Sequence, residues 1–419
     1  MIHTVVIEYI RACMGIKNAS VNDEGDQQDH ENEPYRATLT VTKSNNLIAV
    51  AVGSCLRVWD FRSVSISYAS HFSADAAIID YIYFILCIRS QTFKVLATNG
   101  GVIRSIAFSP CEKWLAAGGD DKTVILWDTE TWQQKKQLKA NKKITVVSFI
   151  ARFNSLLLAA TKFGDVLFAE AASDNVNFSV LLGHYCSVVT SISISSDERF
   201  LATTDRDSRA RVTLLPGSLT SGAFEIQSYC FGHTNFINCC SFFKQNEKEV
   251  LLTGGGDGTV RMWDLMTGFE LASLQVGAKL STDKCQSVLA LQATSNQKYA
   301  VMALDNEAEI KIVEIDLKKG SLTLKNSCRA RTLSMVTDIA SSEEDLWLIS
   351  GPLKERGSEA LIVRADLVDD GDIDFDAKGV SLDKALPSLQ MCSEDCEQSY
   401  LPRALLPSYL YKKSFTAES

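Results

Sequence analysis

Leu251-Leu252-Thr253-Gly254-Gly255-Gly256-Asp257-Gly258-Thr259-Val260-Arg261-Met262-Trp263-Asp264 reads as a β-hairpin. Its apolar start favours a strand, its Gly/Asp-rich centre suits a tight turn that needs positive φ, and alternation then resumes up to Trp-Asp. Leu115-Ala116-Ala117-Gly118-Gly119-Asp120-Asp121-Lys122-Thr123-Val124-Ile125-Leu126-Trp127-Asp128 repeats the same order of residue types. Two copies of one hairpin in one chain call for a search for more.

Fainter copies of the second strand end at Trp59-Asp60, Val166-Leu167-Phe168, Val212-Thr213-Leu214, Ile310-Lys311-Ile312-Val313 and Leu361-Ile362-Val363. With the two strong copies that makes seven. Strand starts at 124, 166, 211, 260, 310 and 361 are separated by 42, 45, 49, 50 and 51 residues, a period that marks a propeller. The interval from 56 to 124 is longer, at 68 residues. It contains the apolar Tyr81-Ile82-Tyr83-Phe84-Ile85-Leu86-Cys87, which fits an extra strand, an insertion loop or a gene-model artefact.

From about Tyr35 to Asp366 these repeats resemble WD repeats, which implies an all-β, seven-bladed WD-repeat β-propeller. Gly232-His233 precedes the best hairpin. In WD repeats a His, a strand Ser/Thr, a turn Asp and a strand Trp form a buried hydrogen-bonded chain. The resemblance assigns those places to His233, Thr253, Asp257 and Trp263, as a structural tetrad rather than part of a catalytic triad. The chemistry is consistent, because Trp only donates whereas His both donates and accepts. Gly183-His184 opens another blade, but Thr213 stands where the Trp belongs, so an incomplete chain is expected there.

Propellers avoid a free edge by closing the ring, and Thr4-Val5-Val6-Ile7-Glu8-Tyr9-Ile10 is a candidate closing strand. Residues 1–34 then comprise this strand and a flexible acidic loop. The propeller occupies 35–367, and 368–419 is a C-terminal extension that ends in the short basic pair Lys412-Lys413.

Composition narrows the function. With 46% hydrophobic residues the chain can bury a large core, while its longest apolar run, Ala76 to Ile88, is interrupted by Asp80 and is shorter than the roughly 20 residues that cross a bilayer. The 12 cysteines lack framework spacing and no leader pattern precedes them, which points to a reducing nuclear or cytoplasmic compartment. A net charge of −9 repels phosphate on average and argues against autonomous nucleic-acid binding.

No Gly-x-Gly-x-x-Gly opens a helix and no phosphate-loop lysine is present. Cys392 and Cys396 have no second pair of ligands, and the adjacent Cys239 and Cys240 point to opposite faces of a strand. No metal and no cofactor are expected. The reading is a protein that acts by holding other molecules.

One blade departs from the pattern. In Phe200-Leu201-Ala202-Thr203-Thr204-Asp205-Arg206-Asp207-Ser208-Arg209-Ala210-Arg211-Val212, alignment on the repeat gives Asp207 the turn-Asp place. Arg209 and Arg211 share a strand face, and Arg206 lies in the turn beside Asp205. Guanidinium groups suit a dock for an acidic partner, while salt bridges within the turn, such as Arg206 with Asp205, are the alternative.

The run Ser195 to Asp207, continuing to Arg211-Val212 and followed by Gly232-His233-Thr234 and Gly256-Asp257-Gly258-Thr259, resembles one WD-repeat family. That family is the non-catalytic subunit of the eukaryotic tRNA (guanine-N7) methyltransferase. The resemblance implies that Arg209, Arg211, Arg206 and Asp205 dock a catalytic subunit. That partner binds S-adenosylmethionine and most of the tRNA and forms N7-methylguanosine in the variable region. A ubiquitin-ligase substrate receptor is the competing scaffold, and an enzyme would need polar groups converging in the central channel.

Overall fold

A computed structural model describes residues 37–44, 46–60, 62, 93–96, 101–173, 177–184, 187–217, 222–280, 285–294, 298–305, 309–329, 336–342, 345–350, 361–367 and 373–374. The candidate closing strand, the acidic loop at 18–33, the stretch 81–87 and Cys392 and Cys396 lie outside them. Contacts divide the chain into 1–33 and 34–419, and the description that follows concerns the second unit.

The described residues form seven four-stranded antiparallel sheets, each taken from one continuous run of chain. They cover 38–96, 103–139, 144–183, 189–231, 237–275, 288–329 and 336–374, and are called the first to the seventh sheet. The third strands are Cys55–Asp60, Thr123–Asp128, Asp165–Glu170, Arg209–Leu214, Thr259–Asp264, Glu309–Asp316 and Leu361–Leu367. Each holds one of the seven strand echoes read from the sequence. The seventh sheet runs past 367, since Ile373–Asp374 pairs with Asp366 and Leu367.

Innermost strands of successive sheets lie side by side, and the first also lies against the seventh. That last contact is specific: the Leu39 amide donates to Asp338 Oδ2 at 3.0 Å and the Thr337 hydroxyl to the Ala37 carbonyl at 3.1 Å. One apolar cluster containing Leu39, Val50, Tyr299, Val301, Val336 and Trp347 runs beneath the first, sixth and seventh sheets. Strand periodicity explains the layering, because alternate residues of each sheet face opposite neighbours. Cys239 joins the cluster shared with the sixth sheet and Cys240 the one shared with the fourth.

The fifth sheet shows what locks a strong hairpin. His233 Nε2 lies 2.8 Å from Thr253 Oγ1, Trp263 Nε1 donates to the same hydroxyl at 2.8 Å, and His233 Nδ1 lies 3.0 Å from Asp257 Oδ2. Thr253 and Trp263 are fully buried and the other two nearly so. Asp257 also accepts from the Thr234 and Thr259 amides, so one carboxylate ties the blade entry to the turn. Gly255 leaves the space this needs: a Cβ there would sit 2.6 Å from His233 Nδ1.

Burial opposes ionisation of Asp257, but the hydrogen bond and charge of His233, with the Thr259 and Thr234 donors, hold its carboxyl down at about 2 against an ordinary 3.8. A depressed carboxyl contributes stability that is present above the unfolded value and disappears as pH falls through the folded one. The wild type is therefore expected to lose about 2 kcal/mol of stability between pH 4 and pH 2 through this group. Asp257→Asn should flatten that part of a urea-unfolding profile against pH; an unchanged acid limb would remove Asp257 as its source.

Candidate partner-docking site

The fourth sheet builds a related lock from different positions. His184 Nε2 lies 2.7 Å from Thr203 Oγ1, and its Nδ1 lies 3.1 Å from Asp205 Oδ2. Asp205 Oδ1 accepts the amides of Asp207 and Arg209 at 2.9 and 3.1 Å. Asp205, not Asp207, therefore does the work of the turn aspartate, which corrects the alignment made from sequence. The ladder explains the shift: Asp205 pairs with Val189 as Gly255 pairs with Ile237, so the carboxylate grows from the place that glycine leaves empty in the fifth sheet.

The expected gap in this polar chain is present. Thr213 is fully buried where the fifth sheet has Trp263, and its hydroxyl has no hydrogen-bond partner. Among the described residues no ion pair joins Arg206 to Asp205, whose carboxylate is engaged by His184 and the two turn amides. Arg206 is half-buried, its amide donates to the Val188 carbonyl at 3.0 Å, and its Nε has no partner.

Arg209 and Arg211 do share a face of the third strand, but their settings differ. Arg209 is exposed. Arg211 is only 7% exposed. Its Nη1 donates to the Gly183 carbonyl of the third sheet at 3.0 Å, while its Nε is buried without an acceptor. Among the described residues no carboxylate pairs with it. Burial pulls its pKa below the ordinary guanidinium value, opposed by the nearby Tyr229. Arginine keeps its charge regardless, so among the described residues it is a desolvated cation lacking a counter-charge.

Two residues that the sequence reading did not single out complete this face. Tyr229 stands directly across the ladder from Arg211 and Phe231 across from Arg209. Opposed residues of an antiparallel pair project to one side, so all four side chains leave the same surface. The two rings stack at 5.5 Å and 20°, and remain 39% and 64% exposed. The signal in the sequence was the alternation in Ile226–Phe231, where buried Ser228 and Cys230 separate the outward aromatics.

Chemistry elsewhere is meagre. A cavity of about 320 Å³ opens among the innermost strands, lined in part by Arg104, Thr145, Asn238, Gln292 and Asp338. Arg104 is paired with Asp120, Asn238 donates to the Val288 carbonyl and Asp338 accepts from Leu39 and Ile339 amides. Arg104 Nη1 and Thr145 Oγ1 are buried there with no hydrogen-bond partner among the described residues. Among the described residues no group of three His, Cys, Asp or Glu side chains could hold a metal ion, and no helix is long and apolar enough to cross a membrane.

Sheets of four antiparallel strands with a His-Ser/Thr-Asp-Trp lock define a WD-repeat β-propeller protein. Residues 90–128 match the family profile for the WD domain, G-beta repeat. Solved structures agree on the fold: a chain of the mitotic checkpoint complex aligns with a TM-score of 0.57 at 16% identity, covering 80% of this chain and 94% of that one. U3-55K aligns at 0.58 and 16%, covering 77% and 90%.

Residues 168–304 match the family described as the tRNA methyltransferase TRM82 WD40 domain, a span that contains the whole fourth and fifth sheets. The chain is 27% identical over 241 residues to the tRNA (guanine-N(7)-)-methyltransferase non-catalytic subunit wdr4 of Dictyostelium discoideum, covering 52% of this chain and 50% of that protein. It is 27% identical over 268 residues to the Homo sapiens WDR4 subunit of the same description, covering 61% of each. To the Xenopus laevis protein it is 31% identical over 173 residues, covering 41% and 42%. The likeness read from the Asp205-Arg206-Asp207 run thus stands, and the chain is similar to the WD-repeat non-catalytic subunits of this methyltransferase. The matched part spans about two-fifths to three-fifths of the length of these relatives.

Proposed function

We propose that this chain is the non-catalytic WD-repeat subunit of a tRNA (guanine-N7) methyltransferase, acting in a reducing nuclear or cytoplasmic compartment. It holds the catalytic subunit as a heterodimer and supports formation of N7-methylguanosine in the tRNA variable region. S-adenosylmethionine and most of the tRNA contacts belong to the partner, in keeping with the −9 charge of this chain. The docking face is Arg209 and Arg211 on their strand, with Arg206 beside them. Asp205 acts from within, because its carboxylate fixes the turn from which Arg209 departs.

The observation that carries this reading is the buried Arg211, without a counter-charge among the described residues, inside the segment that matches the TRM82 family. Removing an arginine from water without a counter-ion is costly, and a carboxylate from a docked partner offsets that cost. A ubiquitin-ligase substrate receptor gains no support from the relatives. The test is a pull-down of the tagged chain from its own cells, followed by mass spectrometry and a tRNA methylation assay. Recovery of a methyltransferase together with guanine-N7 activity is the expected result, and recovery of ligase adaptors in its place would refute it.

Arg209→Glu gives a milder check. As an exposed strand residue it is expected to change unfolding free energy by no more than about 0.5 kcal/mol. It should weaken partner binding mainly through a slower association rate and reduce its salt dependence. An association rate equal to wild type at low salt would take Arg209 out of the interface.

A further inference from the structure

We infer that the stacked pair Tyr229–Phe231 is the apolar anchor of the docking face, and that it fixes the chemistry of the segment that binds there: a carboxylate with a bulky apolar side chain close beside it in sequence. This rests on the proposal that the face receives a protein. It adds two residues to that face and a recognition pattern for its partner.

The argument starts from the ladder. Arg211 lies opposite Tyr229 and Arg209 opposite Phe231, so cation and ring alternate over a patch four side chains in size. Among the described residues Arg211 lacks a carboxylate and has an unfilled Nε, so the complement is an Asp or Glu reaching the rim between the third and fourth sheets. Arg209 extends the positive field outward and favours the same sign of partner. The charge therefore selects an acidic occupant.

The rings select its apolar component. An aromatic pair left largely open to water is a loss that folding alone does not recover, since Phe231 is 64% exposed while its strand neighbour Cys230 is fully buried. Stacking on each other holds the rings in one orientation, so little side-chain entropy remains to be lost on binding. Aromatic residues and Arg are also the side chains that dominate binding energy where they meet in the middle of an interface. An apolar side chain of the partner covers the stack, excludes water and strengthens the neighbouring Arg211 ion pair.

The decisive experiment places a photo-crosslinking p-benzoylphenylalanine at Phe231 in the full chain, expressed in its own cells, and sequences the crosslinked product by mass spectrometry. The expected product is a peptide that contains Asp or Glu with a Leu, Ile, Val, Met or aromatic residue within two positions. If that peptide belongs to a methyltransferase, the proposed function is supported as well. If it belongs to another protein, the recognition pattern stands and the proposed function falls. A crosslink to RNA, to a peptide without a carboxylate, or to nothing overturns the inference.

Phe231→Ala and Phe231→Leu then separate anchoring from folding. The alanine variant should lower affinity for the crosslinked protein at least tenfold, the leucine variant should recover most of it, and both should unfold at the wild-type urea midpoint. Equal affinity for wild type and the alanine variant overturns the anchor.

Discussion

Arg211→Met is expected to leave the chain as stable as the wild type, or up to about 1 kcal/mol more stable, while weakening partner binding by at least about thirtyfold. The two effects have one cause. In the free protein the guanidinium is desolvated, and among the described residues it has no counter-charge and holds only the Gly183 carbonyl. Gly183 is exposed, so its carbonyl returns to water when the arginine is removed. Methionine fills much of the same space without charge. In the complex the partner's carboxylate would then face an apolar group, and truncating one member of a buried charge pair costs about 2–5 kcal/mol. Urea unfolding and calorimetric titration with the catalytic subunit measure both halves. A variant that binds normally but unfolds easily would make Arg211 a brace between the third and fourth sheets.

Trp263→Ala is expected to remove about 3–5 kcal/mol of stability, the largest single effect on folding among these residues. The ring is fully buried in the cluster shared by the fourth and fifth sheets, alongside Phe200, Val212, Cys230 and Leu251. Its loss leaves a void there and deprives Thr253 of its donor. Trp263→Phe should cost less, since it loses the hydrogen bond, worth about 1 kcal/mol net, but keeps most of the volume and leaves a smaller void. An unfolding curve for the alanine variant that overlays the wild type would mean that the tetrad does not hold the blade.

The sequence made the repeat legible because the hairpin has a period-two apolar pattern and a turn chemistry that recurs. All seven third strands lie where their echoes were read, even where Trp-Asp had decayed to Ile362-Val363. The tetrad of the fifth sheet was equally legible, since His233, Thr253, Asp257 and Trp263 keep the residue types that the hydrogen bonds demand. The fourth sheet misled the alignment at one point. Its turn offers two aspartates two residues apart, and counting from the strong copy selected Asp207.

What the sequence by itself determined is therefore the architecture, the positions of the strands and the identity of the residues that share a strand face, all of which follow from local periodicity. Only the tertiary structure decided which aspartate reaches His184, because that depends on which residue the ladder places opposite Val189, and it places Asp205 there. It alone decided that Arg209 is exposed while Arg211 is buried and bonded to the Gly183 carbonyl of a different sheet. Burial and the lack of a counter-charge among the described residues are properties of neighbours distant in sequence, and on those the proposed docking face depends.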